Sequence, residues 1–600
     1  MNAFLATGPR PFELRLARMR PEPWTVVDVH APGQVFAASL SGNWEVELAR
    51  SLLPPELLAR LPGYPPGHPV QPPETTAAGI RGASNAVAVS GARTASGRPL
   101  LANDPHLLLG LPSIWHAMHL VWDGGECAGF TVAGAPVVIL GRTRTLAWGM
   151  TTSMVDTQDL FVERIEPGEP PRYEVDGAWL EAEVIREEIQ VRGGKPVVEE
   201  VVVTRHGPLV VPPVNGEGHA LAWTHHRPGE TLRSLLDLME AASVDDAERA
   251  LDRFAGPPHS FVLADADGDV GYRLAGGPVP VRARGDGSRP LAGCDSENDW
   301  RGVLGPRELP RNRNPEEGIV VSANNRIADL PGEYLSGYRA KRLMELLGDR
   351  TALVPDDLAA AMLDRRSLPG LELAAATRDL AGSSDLQDPA LELLRSWDGD
   401  LGPDSAGGAV YGALVLHLER EAWAARFPGV DPPPGFFERG RPALIRDLAE
   451  RDDGVFADGE TWAAVFGRAL AAAVATLGPD PARWRRGRFH RLRLPHALDR
   501  RGLRRLLSRG PFARGGDVDT VGLLTEVGGA MIGASMRAVY DLSDPDGTRI
   551  ALCGGQSGHP ASPHYDDLLP GWLRGEYVDL PMSRGRVEAL AESRLALSPE

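Results

Sequence analysis

The sequence is poor in cysteine and has no long apolar run, and each absence excludes a class of structure. Its 600 residues include three isolated cysteines without a CxxC pair, so neither a zinc site nor a disulfide framework is indicated. No stretch reaches the roughly 18 apolar residues of a membrane-spanning helix, so no membrane partner is expected. The formal net charge of −18 argues against DNA or RNA as a partner.

Positive charge is scarce overall but concentrated in one place. Residues 483–509 (RWRRGRFHRLRLPHALDRRGLRRLLSR) are rich in arginine, against the acidic balance of the whole chain. Such a run forms a solvated, salt-bridged surface more often than a nucleic-acid site, and we predict such a surface here.

Composition changes sharply near residue 83 and again near residue 340. Residues 24–53 have the apolar spacing of helices, and the segment 53–73 is crowded with proline, which favours an extended, exposed chain. Residues 340–480 are rich in alanine and leucine at helical spacing, after which strands and loops return. Between these regions we predict strands separated by turns, over Asn85–Ser90, Leu100–Asn103, Ile114–Trp122, Gly129–Val132, Val137–Leu140, Thr145–Gly149, Glu183–Val203 and Phe261–Tyr272. This order predicts an α+β fold with helices segregated from antiparallel sheets.

The boundary at Ser84 has the features of a self-cleaving hydrolase. A proline-rich, exposed peptide precedes a serine at the very start of a strand with a buried pattern. Its hydroxyl can attack the preceding carbonyl, convert the Ala83–Ser84 peptide to an ester and leave a new N-terminus after hydrolysis. The freed α-amine, with a pKa of about 7.7–8.0, can then act as the base for the same hydroxyl. On spacing alone, an ordinary loop serine is the commoner interpretation.

Blocks along almost the whole chain resemble the penicillin acylase family. The stretch Ser84–Leu120 (SNAVAVSGARTASGRPLLANDPHLLLGLPSIWHAMHL) is similar to the opening of the family's mature β chain. Further similar blocks follow in family order: AWGMTTSMVDTQDLF (147–161), ADADGDVGYRLAGGPVPVR (264–282), GIVVSANNRI (318–327), GYRAKRL (337–343), GGDVDT (515–520), GASMR (533–537) and GGQSGHPASPHYDD (554–567). The resemblance implies the four-layer αββα fold of N-terminal nucleophile hydrolases and a zymogen that cuts itself into two chains.

The resemblance also implies an activity and a division of the chain. Residues 1–83 would be a shortened α-chain portion with its proline-rich spacer, and residues 84–600 the β chain with the helical region 340–480. The implied reaction is hydrolysis of a linear amide between an acyl group and an amine nucleus, of the penicillin or cephalosporin type. Acyl-homoserine lactone or lipopeptide deacylation is the alternative, and a non-catalytic or unprocessed binding homologue stays open as a different class. The expected partners are a small-molecule acyl amide and the chain's own two fragments.

Five residues acquire roles from this resemblance. Ser84 matches the nucleophile, and His106 lies beside it, where it would orient the serine or help to bind substrate. Thr152 matches the backbone N–H of one half of the oxyanion hole, and Asn324 matches the side-chain amide of the other half. Fixed donors of this kind stabilise the tetrahedral intermediate of amide hydrolysis. Arg339 matches an arginine that holds the asparagine and the α-amine in place.

Structural interpretations compete with these roles. The pair Asn324–Asn325 is also typical of a turn cap. His106, His116 and His119 resemble a zinc set, but the last two point to opposite faces if they lie in a strand. The segment Asp265–Asp269 matches a calcium-binding loop only in part, and we predict a hairpin turn there.

Calcium is the metal that the resemblance implies, in a structural role. Asp156 and Asp159 match acidic ligands that follow the oxyanion strand, and Gln158 would add its backbone carbonyl. Hard oxygen ligands at such close spacing suit calcium. The family's acidic ligand from the α chain would fall in the segment 24–28 (WTVVD), where the nearest matches are Thr25 and Val27. Neither is acidic, which leaves full coordination open.

The first residues, MNAFLATGPRPFELRL, lack the continuous apolar segment of a secretory signal. They resemble the middle of a family α chain and not its start, as expected for a fragment or a start codon assigned late. Family members are commonly exported, and a signal would then lie upstream, so the compartment stays open.

Overall fold

Helices and strands are both abundant in the computed structural model of the chain. It describes residues 2–51, 82–382, 384–430, 436–457, 459–499, 502–527 and 529–596, without the side chains of 436–440. The proline-rich segment 53–73 lies outside these ranges, so its extended conformation stays a prediction. No helix within them combines the length and apolar character needed to cross a bilayer.

Two antiparallel sheets form the centre of the fold. The first central sheet runs Ile319–Ser322, Ala83–Val89, Leu100–Leu108, Met536–Asp541, Arg549–Leu552 and Val578–Asp579, with Ala530–Ala534 paired to Leu100–Leu108 and Leu524–Val527 beyond it. The second central sheet runs Arg311–Arg313, Val270–Ala275, His259–Asp265, Leu146–Thr152, Leu140–Arg142, Gly125–Val132 and Trp115–Trp122.

Helices cover both outer faces of this pair of sheets. Successive side chains of the strand Ala83–Val89 point to opposite faces, and both faces are buried. Its inner alanines enter the core shared with the second central sheet, and its valines pack against the helices Tyr338–Leu347 and Pro355–Ala361. The helices Thr231–Met239 and Val244–Leu251 pack on the second central sheet. The result is a helix–sheet–sheet–helix sandwich, which confirms the α+β prediction.

A third sheet and further helices surround the sandwich. The third sheet runs Glu183–Ile189, Val197–Thr204, Gly207–Val214, Glu217–Trp223, Gln158–Glu166, Arg172–Val175 and Ala178–Glu181, with Leu291–Ala292 beside Gln158–Glu166. Two short pairs are Val279–Val281 with Gly302–Leu304 and Arg491–Leu494 with Arg509–Ala513. The remaining helices are Asn2–Thr7, Phe12–Leu16, Val26–Ser41, Trp44–Ser51, Leu368–Ala376, Gln387–Arg395, Ala406–Arg426, Phe436–Glu450, Trp462–Leu477, Arg486–Phe489, Arg504–Leu507, Leu569–Arg574 and Arg584–Leu590.

The long helices of the region 340–480 follow from capping and composition. Ser405 and Thr461 each cap a helix by accepting a backbone N–H in its first turn, and the helices they start, Ala406–Arg426 and Trp462–Leu477, pack on each other. Hydroxyl side chains at such positions satisfy N–H groups that have no partner within the helix. The alanine-rich faces allow this close packing.

Most predicted strands are present with shifted ends, and one is misplaced. We predicted a strand over Val137–Leu140, but the strand is Leu140–Arg142. Val137 and Val138 are fully buried in the loop before it, so their apolar character reflects burial and not pairing. In the arginine-rich stretch, Arg485 pairs with Asp404 and Arg509 with Asp566, consistent with the predicted salt-bridged surface.

Candidate active site

Strand register brings Ser84 and Asn324 together at one edge of the first central sheet. Ala86 lies opposite Ser322 in an antiparallel pair, so two steps back on one strand and two steps forward on the other place Ser84 beside Asn324. A strand of the second central sheet ends at Thr152, whose carbonyl oxygen accepts the Asn324 Nδ2 hydrogen at 2.7 Å. Residues that are distant in sequence therefore share one buried site.

Ser84 is held through its backbone and faces the preceding peptide through its side chain. Its backbone N–H donates to Asn324 Oδ1 at 2.7 Å, and its hydroxyl donates to the carbonyl oxygen of Ala83. The hydroxyl thus lies against the peptide group that the predicted self-cleavage would break. Only 4% of Ser84 is exposed, so this group is shielded from bulk water.

Arg339 connects the strand of Ser84 to the loop of Asn324. Nη1 donates to the Ser84 carbonyl oxygen at 2.8 Å and to Asn85 Oδ1 at 2.7 Å. Nη2 donates to the Ala323 carbonyl oxygen at 2.7 Å and to Asn324 Oδ1 at 2.9 Å. Burial lowers the pKa of Arg339 to about 10, against the opposing charges of two aspartates, so the guanidinium stays charged at neutral pH. This arginine fixes both halves of the site at once.

The side chain of Asn324 has one possible orientation. Ser84 N–H and Arg339 Nη2 are both donors, so the atom that faces them must be the amide oxygen. Its nitrogen carries two N–H bonds, and the bond to Thr152 uses one of them. The backbone adopts φ +63°, a left-handed conformation that asparagine tolerates better than most residues. The turn-capping role belongs to Asn325, whose Oδ1 accepts the Ala323 N–H at 3.0 Å.

His106 lies on the neighbouring strand, opposite Ala83, and its side chain is linked to Ser84 through Asp104, Asn85 and Arg339. Its Nε2 is 3.0 Å from Asp104 Oδ2 and 3.5 Å from Asn85 Nδ2, and Asn85 in turn accepts from Arg339. Burial lowers the pKa of His106 below its usual value despite the charge of Asp104. A neutral ring in this position can orient the network but does not supply a charge. Neither His116 nor His119 joins His106 in a metal-binding group among the described residues.

Sequence reasoning missed the polar residues that support the site. Asn85 donates to Asp104 Oδ1 at 2.9 Å and to the Val521 carbonyl oxygen at 2.9 Å. Asn103 donates to the carbonyl oxygens of Asn85 and Met150, at 2.7 and 3.1 Å, and so joins the two central sheets. The available signal was the presence of fully buried polar side chains in strands that are otherwise apolar, because such groups are retained only where they find partners.

A largely apolar cavity of about 480 Å³ opens beside Ser84 and Thr152. Its walls include Phe36, Leu40, Leu107, Trp115, Val132, Val137, Ile139, Met150, Leu235 and Phe254, and its polar lining includes His30, His225, Arg227 and Arg233. The helix Val26–Ser41, which precedes Ser84 in sequence, therefore forms part of the wall. A larger hollow of about 1100 Å³ lies beside His119 and Glu126, and the described residues that line it include none of the predicted catalytic residues.

The three predicted calcium ligands surround the side chain of Arg282. Arg282 Nη2 donates to Asp156 Oδ2 at 2.6 Å and to the Gln158 carbonyl oxygen at 3.2 Å. Arg282 Nε lies 3.0 and 2.9 Å from the two carboxylate oxygens of Asp159. Calcium needs roughly six to eight oxygen ligands at about 2.3–2.6 Å. Arg282, Asn43 and the Gln158 N–H between them already bond every carboxylate oxygen of Asp156 and Asp159, so the residues present do not fit the expected metal.

The segment before Ser84 reaches this cluster through a different residue from the one expected. Thr25 and Asp28 form a capping box at the start of the helix Val26–Ser41, and Val27 is exposed there. These nearest matches to the family's acidic ligand therefore lie at the helix end. The acidic residue beside Asp156 and Asp159 is the fully buried Glu47, which accepts the Leu160 N–H at 2.9 Å.

The chain is similar to known proteins over nearly its whole length. A family model described as penicillin amidase matches residues 1–589. Penicillin acylase 2 proenzyme of Pseudomonas sp. (strain SE83) is 32% identical and aligns with 100% of this chain and 84% of its own length. Acyl-homoserine lactone acylase QuiP of Pseudomonas aeruginosa is 30% identical, over 86% of this chain and 69% of its own length.

The fold also has a counterpart among solved structures. Thermostable penicillin G acylase from Alcaligenes faecalis superposes with a TM-score of 0.67 at 20% identity, covering 86% of this chain and 99% of that chain. At this identity the similarity concerns the fold alone. It confirms the four-layer αββα arrangement expected from the sequence.

Proposed function

Because the chain belongs to the penicillin amidase family, we propose that this amidohydrolase processes itself at Ser84 and then hydrolyses linear acyl amides with the same residue. One observation carries the proposal: the Ser84 hydroxyl hydrogen-bonds the carbonyl oxygen of Ala83 while its N–H is held by Asn324. An inert homologue has no need to keep a buried hydroxyl against that peptide group.

Self-cleavage begins with attack of Ser84 Oγ on the carbonyl carbon of Ala83. The C–N bond breaks as the hydroxyl proton passes to the nitrogen of Ser84, and an ester joins the two residues. Water then hydrolyses the ester, which returns the hydroxyl and leaves a free α-amine on Ser84. Asn324 Oδ1 already accepts from this nitrogen, so the new amine stays in place.

Amide hydrolysis uses the amine and hydroxyl of the same residue. The α-amine, with a pKa of about 7.7–8.0, takes the proton from Oγ as Oγ attacks the substrate carbonyl. The developing oxyanion would receive the second N–H of Asn324 Nδ2 and the backbone N–H of Thr152. The leaving amine takes the proton from the α-amine, and water releases the acyl group from Ser84. Arg339 holds Ser84 and Asn324 in register throughout, and His106 supports Asn85 through Asp104, whose carboxylate accepts from both side chains.

The cavity beside Ser84 suits an apolar acyl group. Most of its lining is aliphatic or aromatic, so burial of an apolar acyl group there is favourable, whereas a carboxylate would lose hydration unless it reached the exposed Arg227 or Arg233. We therefore propose substrates of the penicillin type with arylacetyl or aliphatic side chains. The aliphatic residues Leu40, Leu107 and Ile139 equally favour the linear acyl chain of an acyl-homoserine lactone, which is our second candidate.

A panel of amides with one common amine tests this proposal. The acyl group would be phenylacetyl, hexanoyl, decanoyl or glutaryl, and kcat/KM would be measured for each on processed protein. We expect glutaryl to be the poorest substrate, and the ratio of decanoyl to phenylacetyl decides between the two candidates. Hydrolysis of none of these, together with a single uncut band on a denaturing gel, would identify a binding homologue instead.

A further inference from the structure

A buried arginine, Arg282, lies where the part of the chain before Ser84 packs against the part after it. Asn43 and Glu47 come from the part before Ser84, and Asp156 and Asp159 from the part after it. Asn43 Nδ2 donates to Asp156 Oδ1 at 2.7 Å, and the Asn43 N–H donates to the side-chain oxygen of Gln158 at 3.0 Å. Asp156, one of the two carboxylates that bind Arg282, therefore also holds the N-terminal part in place.

Every carboxylate oxygen of the two aspartates already accepts a hydrogen bond. Asp156 Oδ1 accepts from Asn43 and from the Gln158 N–H, and its Oδ2 accepts from Arg282. Both oxygens of Asp159 face Arg282, and one also accepts from Trp300 Nε1 at 2.6 Å. A cation could bind these groups only by displacing the guanidinium from its partners.

Displacement of the Arg282 side chain is obstructed because the cluster that it forms with Asp156 and Asp159 is enclosed. The side chains of Arg282, Asp156 and Asp159 are 5%, 3% and 0% exposed. Gly287 passes so close that a β-carbon there would collide with Asp156 Oδ2 and Arg282 Nη2, and its φ of +79° favours glycine independently. The backbone at Gly287 thus covers the Arg282 side chain and leaves no open path for an ion through the described residues.

We propose that Arg282 is a built-in substitute for a structural cation, which makes the junction between the two parts of this protein independent of calcium. The guanidinium places one positive charge between the two aspartates, where calcium would place two, and its planar set of donors bonds both carboxylates in fixed geometry. The inference concerns assembly and not the reaction, so it holds whichever amide is the substrate.

Wild-type protein gives the first test. The processed enzyme would be treated with excess EDTA, dialysed and analysed for bound calcium, and its Tm would be recorded with and without added calcium chloride. A ligand that binds only the native state raises Tm. We expect no bound calcium and no shift of Tm in either direction. Calcium retained at one ion per chain, or a Tm that rises with calcium, would overturn the proposal.

The variant Arg282→Ser gives the converse test. It removes the guanidinium and leaves Asp156, Asp159 and the buried Glu47 facing one space, so we expect a lowered Tm that added calcium restores and a calorimetric signal for calcium binding. Arg284→Ser is the matched control, because Arg284 pairs with Asp295 and Glu297 at the exposed surface. Its Tm should not respond to calcium.

Two outcomes of the variant experiment count against the proposal. A folded Arg282→Ser protein that ignores calcium would show that the cluster is a plain ion pair and not a cation site. If the variant is insoluble, it would be expressed and refolded with calcium, and failure of calcium to improve the soluble yield would have the same meaning. The test for bound calcium in the wild-type protein does not depend on whether this variant folds.

Discussion

Arg339 and Arg282 are both buried arginines, but they face opposite kinds of partner. All four hydrogen bonds of Arg339 described above go to neutral oxygens, namely backbone carbonyls and asparagine amides. Arg282 donates mainly to two carboxylates. The pKa values follow the same division: burial lowers that of Arg339 to about 10, whereas for Arg282 the aspartates outweigh burial and raise the pKa.

The difference shows how one residue type serves two purposes. A charge bonded to neutral groups keeps its field and organises whatever is near it, here the backbone of Ser84 and the amide of Asn324. A charge bonded to opposite charges is neutralised and acts as a joint between segments. Variants at the two places should therefore separate loss of reaction from loss of stability.

Ser84→Ala should have the largest effect on the reaction side of this comparison. Without the hydroxyl, the Ala83–Ser84 peptide cannot be cut, so we expect one uncut chain and no amidase activity above background. The measurement is a denaturing gel with mass spectrometry of the intact protein, followed by assay on the best amide. The stability of the junction around Arg282 should be preserved, and wild-type hydrolysis by this variant would refute the assignment of the nucleophile. In wild type, a large fragment that begins anywhere other than Ser84 would also refute it.

Arg282→Met should lower the stability of the protein, which is the property that the comparison assigns to Arg282. It leaves two buried aspartates without their cation, which for buried pairs costs about 3–5 kcal/mol. Denaturation in urea, monitored on processed protein, should show this loss as a lowered midpoint. Arg284→Met, on the exposed surface, should cost about 1 kcal/mol or less. Equal effects at the two positions would contradict the structural role of Arg282.

Asn324→Gly should lower kcat by about 10²–10³ and leave KM nearly unchanged, because the oxyanion contact strengthens only as the carbonyl oxygen gains charge. Glycine is a better truncation than alanine, since the position has φ +63° and alanine would add backbone strain. Steady-state kinetics on fully processed protein would decide this. Asn325→Ala is the control, because that side chain only caps the turn, and a larger loss there would transfer the role to Asn325.

The smallest expected effect on stability is at His259, a buried residue in the cavity wall. Its ring stays uncharged in the folded protein at neutral pH. Burial lowers its pKa from 6.5 to about 4, although a hydrogen bond to the Pro257 carbonyl opposes this. Between these pH values the unfolded chain binds a proton that the folded chain does not, so the stability that His259 contributes is lost as pH falls. Relative to wild type, His259→Gln should gain about 2 kcal/mol on acidification from neutral pH to about pH 4.5.

The exposed His564 supplies a control of opposite sign. Its hydrogen bonds to Asp567 and Glu592 raise its pKa, so its contribution is present below the ordinary value and lost as pH rises. Unfolding of His259→Gln and of His564→Gln, measured in urea across this pH range, should show the two variants diverging from wild type in opposite directions. Parallel behaviour would show that the ring of His259 is not buried in a neutral form.

The sequence predicted the parts of the structure that depend on local pattern. The short strand-like runs between turn residues after Ser84 and the helical spacing of alanine and leucine in 340–480 correspond to strands and helices, because turn residues and apolar spacing are local properties. The strand predicted at Val137–Leu140 was misplaced because a buried loop has the same composition as a buried strand. The α+β class and the order of its elements were nevertheless correct.

The candidate site was also predicted only in part, where a local motif identified the residue. The motifs named Ser84 and Asn324, and the register between their strands explains why the two meet. No local pattern predicted the contact between Arg282 and Asp159, which lie 123 residues apart and meet only in the folded chain. The polar support from Asn85 and Asn103 was overlooked because a short polar residue within a strand predicts no partner by itself.

The helix Val26–Ser41 supplies residues such as Phe36 and Leu40 to the cavity wall, although it precedes the proposed cleavage point. If the Ala83–Ser84 bond is cut as proposed, that wall becomes a separate subunit, held by contacts such as those of Asn43 and Glu47. The pocket is then a bimolecular assembly, and its integrity becomes dependent on protein concentration. Acyl selectivity would accordingly be a joint property of two polypeptides, open to change by exchanging the smaller one while the nucleophile remains untouched.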